Sequence, residues 1–528
     1  MISSVPITFV HRCEQSTRQK VLIRRARSVY SRSLARFTSS VAKLTEKRAV
    51  WPSMVFSEPI FLFLFLPIAL AATSLALFVG RGHSATLFLL SLGFYFWSSG
   101  ALTLLLLGCV VANWAMAIAI HRSPRESNSR SLLPLGVFIN LVPLAYYKYA
   151  HFLSEQVDAS IGTTLAPRFA EVALPVGISF FAFQGMSYLI DVSRGDAEPE
   201  ESFLRFGAYL TFFPQLIAGP IVRYRDAIES YRNPGRSPQR VAYGVRRFAH
   251  GLLKKVVVAD TVARVADVCF AMDSSSLTPG VAWLGAIAYS IQIYFDFSGY
   301  SDMAIGLAAI CGIHLRENFE RPYASGTLTE FWRRWHISLS SWFRDYLYIP
   351  LGGNRGPAHR TYANLLIVFL ATGLWHGAAW NFVAWGLFHG LFLVVERAIF
   401  PANLLRQAGL AWRFSYALPI TIFGWVLFRA ESLGAAAQYW KAMLPTLTPS
   451  WNLAAPVHQV LTPATIAVLA CSALVFVLPR DRRPADLLSK ELPASGECLR
   501  TAYLALALVV SGILALTSDF SPFLYFRF

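Results

Sequence analysis

The sequence predicts an all-α, polytopic membrane protein of roughly ten or eleven transmembrane helices plus re-entrant segments. Three observations predict it. Hydrophobic residues make up 55% of the 528 and charged residues only 15%, against roughly a quarter charged in soluble domains. Mean hydropathy is +0.46. Apolar runs of about 20 residues, long enough to cross a bilayer as helices, recur along the chain.

Those runs are 59–80, 84–120, 131–147, 172–190, 279–295, 363–394, 415–428, 463–478 and 501–517. The runs 84–120 and 363–394 are long enough to be helix pairs. Pro- and Gly-interrupted stretches such as FFPQLIAGP (212–220) are expected to enter the membrane without crossing it, because irregular backbone there must be buried in protein or line a cavity. The linker YRNPGRSPQR (231–240) reads as a cytoplasmic loop within one unit. No internal repeat or inverted duplication of broken helices is visible, which weakens a transporter reading. Six cysteines, Cys13, Cys109, Cys269, Cys311, Cys471 and Cys498, show neither paired spacing nor a zinc pattern.

The net charge of +17 is concentrated at one end. Residues 1–53 hold eleven Lys and Arg against two Glu, more than half of the excess, so the charge does not imply a nucleic-acid partner. The arm is serine-rich and lacks an apolar core, so it is no secretory signal; it reads as a transit-like peptide or as a disordered extension ahead of a start at Met54. The remainder, 54–528, reads as a single domain. With Met54 outside, Arg81, HRSPRESNSR (121–130) and SRGDAEPEES (193–202) fall in the cytoplasm while 98–100 and 151–171 fall outside, as the positive-inside rule favours. A cytoplasmic basic arm would reverse these assignments.

Residues that could carry chemistry lie mostly between 288 and 390. In IQIYFDFSGYSDMAIGLA (291–308), Asp296 and Asp302 interrupt an apolar run. Intramembrane carboxylates are functional candidates by default, although a pairing with a neighbouring arginine explains Asp296 equally well. FWRRWHISLSSWFRDYLYIPLGGNRG (331–356) combines tryptophans and arginines, a pattern that also fits an interfacial belt. Taken as a helix, it puts His336 one turn from Trp332 and Ser340, on a face that could turn inward. In GLWHG (373–377), His376 stands between glycines, and Gly373, Gly377, Gly386 and Gly390 repeat at the spacing that lets helices approach closely. An unsatisfied imidazole in hydrocarbon costs several kcal/mol, so a cavity or a second span must accommodate His376. On a continuous helix His389 would face elsewhere, about 220° around. A buried neutral imidazole is an available base. The chain lacks GxSxG, HExxH, Walker and GxGxxG motifs, which leaves acyl transfer without an enzyme nucleophile.

These stretches, with GISFFAFQGMSYLIDV, FPQLIAGPIVRY and the terminal PFLYFRF, resemble the membrane-bound O-acyltransferase family, in particular its bacterial alginate O-acetyltransferase branch, from Met54 to Phe528. The resemblance implies a ring of helices enclosing a funnel, in a bacterial inner membrane. It implies His376 as the catalytic residue and His336 as a second important position that orients the acyl carbonyl or stabilises an oxyanion. It implies a cytoplasmic thioester donor such as acetyl-CoA with no bound cofactor, and a hydroxyl acceptor on an extracytoplasmic polysaccharide or an acetyl-relaying partner protein. Trp375, Trp380 and Trp385 would shape the cavity. Arg333, Arg334 and Arg344 would hold donor phosphates or lipid headgroups, and Trp375 and Asn381 complete the substrate-binding candidates. A D-alanyl transferase of the same family, or a transporter using the same His and Asp residues as proton relays, are the alternatives.

Overall fold

The computed structural model describes residues 54–123, 129–170, 172–235, 237–273, 276–400, 409–444, 451–477, 493–517 and 523–524, and among these every regular element is helical. The basic arm lies outside the described residues. Ser53–Phe528 forms one compact unit. Five helical stretches among the described residues are long and apolar enough to cross a membrane: Phe61–Val79, His83–Arg122, Leu132–Ile161, Trp380–Ile399 and Ser495–Thr517. The chain is a multi-pass membrane protein.

The chain enters through a buried Met54–Phe56 segment, where Phe56 stacks on Tyr300 at 4.5 Å. Helix α1 (Leu66–Val79) ends at Gly80 and α2 (His83–Ser99) at Gly100. Both glycines have positive φ, a conformation that a side chain resists. The break at Gly100 divides the long run 84–120 into α2 and α3 (Thr103–Arg122), the expected pair. Between α3 and α4 (Ser129–Leu144), Asn113 and Asn140 exchange two amide hydrogen bonds of 3.0 and 2.8 Å. Such reciprocal pairing satisfies both amides away from water. A π-helical turn, Ala145–Tyr149, leads into α5 (Ala150–Ile161), and α6 (Ile178–Arg194) is buried along almost its whole length.

After α7 (Phe203–Thr211), residues 212–222 are wholly buried and irregular apart from one helical turn at Phe213–Leu216. Some of their amides bond within the stretch, as Gly219 N–H does to Gln215 O, and others find side chains: Phe213 N–H donates to Ser91 Oγ and Ile221 N–H to Ser338 Oγ. Broken backbone is thus held inside protein, as expected for FFPQLIAGP. Helices α8 (Tyr224–Arg232), α9 (Pro238–Leu253) and α10 (Asp260–Phe270) follow, then α11 (Pro279–Ile310), 32 residues long. A Cβ on Gly244 would lie 2.6 Å from the Gly306 carbonyl, and one on Gly251 2.5 Å from that of Gly299. Glycine at these positions lets α9 and α11 touch backbone to backbone.

Helix α11 belongs to two hydrophobic clusters. Its first half, Val281–Tyr294, packs with the C-terminal helices, and its second half, from Phe297 to Ala308, with the N-terminal ones. The chain continues through two short helices, α12 (Leu328–Arg334) and α13 (Ile337–Phe343), to the hairpin of α14 (Ala358–His376) and α15 (Trp380–Ile399), and on to α16 (Leu418–Arg429). Added Cβ atoms on Gly373 and Gly386 would lie 2.3 Å from the Phe382 and Phe369 carbonyls of the opposite helix. The run 363–394 is a hairpin for that reason. Trp375 of α14 belongs to the first cluster and Trp385 of α15 to the second, so His376 stands at their seam.

Loops assigned to the cytoplasm from their charge do gather on one face. His121 lies 3.7 Å from Glu198, and Arg81, Ser202, Arg205 and Arg232 line one cavity of about 570 Å³.

Candidate acyl-transfer site

His336 is not on a helix. Helix α12 stops at Arg334, Trp335 is extended, and His336 adopts a left-handed conformation with φ 46° before α13 begins. This corrects the expected helical register with Trp332, while the one-turn relation to Ser340 holds, its N–H donating to the His336 carbonyl at 3.0 Å. The cause is a crossing segment: Ile337 N–H donates to Asn318 O at 3.0 Å and Glu320 N–H to Arg334 O at 2.9 Å, tertiary bonds that replace helical ones. A non-glycine residue in this region costs about 1–3 kcal/mol, which the surroundings must offset. Part of the support is Glu396 of α15, whose carboxylate accepts the Leu328 and Thr329 N–H groups at the start of α12. Thr327 caps the same turn by accepting from Glu330 N–H.

The His336 ring is held at Nδ1, 3.2 Å from Asn318 Oδ1. That oxygen also accepts Ser338 N–H at 3.1 Å, which fixes the orientation of the amide. Facing an acceptor, Nδ1 carries the proton, and the neutral ring presents its lone pair at Nε2. Nε2 is buried and makes no hydrogen bond among the described residues. Phe297 meets the ring edge-on at 4.6 Å.

His376 is the last residue of α14, and Gly377 turns the chain away in an extended conformation. A Cβ at Gly377 would lie 2.2 Å from the Phe382 ring, so the turn requires glycine. Edges and faces of Trp375, Trp385 and Phe428 enclose the imidazole at 5.0, 5.1 and 5.1 Å. Below it lies a cavity of about 20 Å³, lined by Ile293, Phe297, Trp335, His376, Trp425 and Phe428 and closed by Phe523 and Leu524. That is space for about one water. Trp375 is common to both histidines, its ring centroid 5.9 Å from His336 and 5.0 Å from His376.

The other candidates separate clearly. Asp296 pairs with Lys255 at 2.8 Å and accepts Leu524 N–H, tying the C-terminal segment over the cavity. Asp302 pairs with Arg247 and Lys254. Both carboxylates are salt-bridged scaffold, and the partner of Asp296 is a lysine. Trp385 walls the site, whereas Trp380 is 53% exposed and donates to Gln156 Oε1; the expectation that it shapes the cavity is corrected, because it begins α15 beyond the Gly377 turn. Asn381 is buried and donates to the Ala430 carbonyl at the end of α16. Arg333 and Arg344 are exposed, Arg344 against Asp345, and Arg334 pairs with Glu330. None of these arginines lines the cavity. His389 sits on the far side of Trp385, 5.2 Å from it, on the opposite arm of the hairpin from His376.

Four contributors escaped the sequence reading: Asn318, Glu396, Lys148 and Tyr149. Lys148 donates to the carbonyls of Trp375 and His376, and Tyr149 to that of Leu374. A lysine at the end of an apolar run, in AYYKYAHF, was the available signal. Asn318 had none.

The sequence model of MBOAT, the membrane-bound O-acyltransferase family, matches residues 170–433, which contain both histidines. A probable alginate O-acetylase of Pseudomonas putida is 41% identical over 493 residues, covering 90% of this chain and all of that protein. A peptidoglycan O-acetyltransferase of Helicobacter pylori is 36% identical over 434 residues, 74% of this chain and 80% of that protein. A teichoic acid D-alanyltransferase of Streptococcus thermophilus is 30% identical over 301 residues, 54% of this chain and 68% of that protein. With a family match across the segment that builds the paired histidines, and an alginate O-acetylase relative matched over its whole length, the chain is an O-acyltransferase belonging to the membrane-bound O-acyltransferase family, in its alginate O-acetylase-like branch.

Proposed function

We propose that the protein takes an acetyl group from a cytoplasmic thioester, acetyl-CoA or a chemical equivalent, and delivers it across the inner membrane to hydroxyls of an alginate-like polysaccharide or to a partner protein that relays it. The observation that carries this reading is the placement of His336 and His376 on one tryptophan, Trp375, at the seam of the two clusters. The names of the relatives, alginate O-acetylase and peptidoglycan O-acetyltransferase, support acetyl as the group and a glycan as the acceptor. Lining by Arg81, Arg205 and Arg232 supports the loop-rich face as the side on which an anionic donor arrives.

In this mechanism His376 removes the proton of the acceptor hydroxyl as its oxygen attacks the thioester carbonyl. The tetrahedral adduct collapses, the carbon–sulfur bond breaks, and the leaving thiolate takes the proton back from the imidazolium. Aromatic walls exclude water, which would otherwise intercept the acyl group. Neutral His336, with its proton committed to Asn318, offers Nε2 as an acceptor and so orients the incoming hydroxyl. It stabilises an oxyanion only as imidazolium.

The test supplies radiolabelled acetyl-CoA and an alginate-like polymer to membranes with and without the chain. Alkali-labile label on polymer or on a membrane-associated protein, dependent on the chain, is expected. Label from a D-alanyl carrier thioester instead would replace this reading with the D-alanyl one.

A further inference from the structure

The C-terminal end of α14 presents an accounting problem. The last intrahelical bond runs from Gly377 N–H to Gly373 O, which leaves the carbonyls of Leu374, Trp375 and His376 beyond the ladder, as at any helix end. Here side chains satisfy them. Tyr149 Oη donates to Leu374 O at 2.5 Å, and Lys148 Nζ donates to Trp375 O at 2.5 Å and to His376 O at 3.1 Å. Two consecutive side chains of one π-helical turn, Ala145–Tyr149, therefore take all three carbonyls.

The third hydrogen of the Lys148 ammonium points to Ser179 Oγ on α6 at 3.4 Å. Three acceptors match the three donors of an ammonium, and a cation at a helix C-terminus also meets the negative end of its dipole. The backbone that bears His376 is thereby tied to helices from the N-terminal cluster, while its ring is walled by Trp385 and Phe428 from the other. Without the tie, the Gly377 turn would leave the imidazole at the end of a fraying helix.

We infer that Lys148 is a positioning residue for the transfer reaction: by clamping the Trp375 and His376 carbonyls it fixes the direction in which the His376 imidazole points. Tyr149 clamps one residue further back and contributes less. This rests on His376 acting as the base.

The experiment compares full-length, detergent-solubilised wild type with Lys148→Met, Lys148→Arg, Tyr149→Phe and His376→Ala for acetyl transfer, with size-exclusion profiles to verify folding. A displacement of about 1 Å at a reacting group costs on the order of 10²-fold. Lys148→Met is expected to lower kcat roughly 10- to 100-fold with KM for the donor nearly unchanged. Lys148→Arg, which keeps a charged donor, is expected to recover most of the loss, and Tyr149→Phe to lose about threefold. If the methionine variant does not fold, Lys148→Gln, which retains an N–H donor, replaces it, with an expected kcat between those of the arginine variant and His376→Ala. The inference is overturned if kcat survives in Lys148→Met or in Lys148→Gln, if only KM changes, or if arginine rescues nothing. An inactive His376→Ala beside a fully active Lys148→Met overturns this inference alone. An active His376→Ala overturns the base assignment and this inference with it.

Discussion

The two histidines are held by opposite means. His336 sits in a broken, left-handed stretch of backbone and is fixed through one ring nitrogen by Asn318, itself oriented by Ser338. His376 sits at the end of a regular helix, enclosed by ring edges from Trp375, Trp385 and Phe428, with the carbonyls behind it clamped. Polar fixation decides which nitrogen carries a proton. Apolar enclosure decides how much water reaches the ring. A site that must move a proton without hydrolysing its acyl group needs both, and the fold supplies each from a different side of the seam.

The sharpest way to break this contrast is to remove the polar side. Asn318→Ala deletes the acceptor for His336 Nδ1 and frees the tautomer, so kcat for acetyl transfer should fall about 10²-fold, the scale at which an oriented acid–base group contributes. Steady-state kinetics of the folded variant check this, and an unchanged kcat would mean the tautomer is irrelevant. Disturbing the apolar side should act through packing. In Gly386→Ala the new methyl would sit 2.3 Å from the Phe369 carbonyl, so the hairpin must part. A loss of about 2 kcal/mol in stability is expected, read as a lower thermal midpoint in detergent. The smallest effect belongs outside both regions: Arg333→Ala and Arg344→Ala remove exposed side chains, and stability should change by less than about 0.5 kcal/mol with KM for the donor within about twofold. A tenfold rise in KM would return them to the donor site.

Much of the architecture was legible because bilayer crossing demands long apolar runs, and the runs 84–120 and 363–394 do split into paired helices. Glycine spacing around GLWHG likewise foretold the close approach of α14 and α15. What escaped was tertiary. The kink at His336 depends on the crossing segment around Asn318, nearly twenty residues earlier, and local pattern carries no trace of it. Asp296 and Asp302 read as candidate sites because their partners, Lys255, Lys254 and Arg247, lie on α9 and the turn after it, which the Gly244–Gly306 and Gly251–Gly299 contacts bring near. The resemblance groups Trp380 with Trp375 and Trp385, yet the Gly377 turn points it outward. The pairing of His336 with His376 through Trp375 required the fold.

The most direct test of the central claim is the rate of label transfer from acetyl-CoA by His376→Ala, measured at matched amounts of folded protein. Loss of at least about 10²-fold is expected, the lower end of what a general base contributes, in a protein whose detergent profile matches wild type. A folded His376→Ala that transfers acetyl within about threefold of wild type would contradict it and move the chemistry elsewhere along the seam.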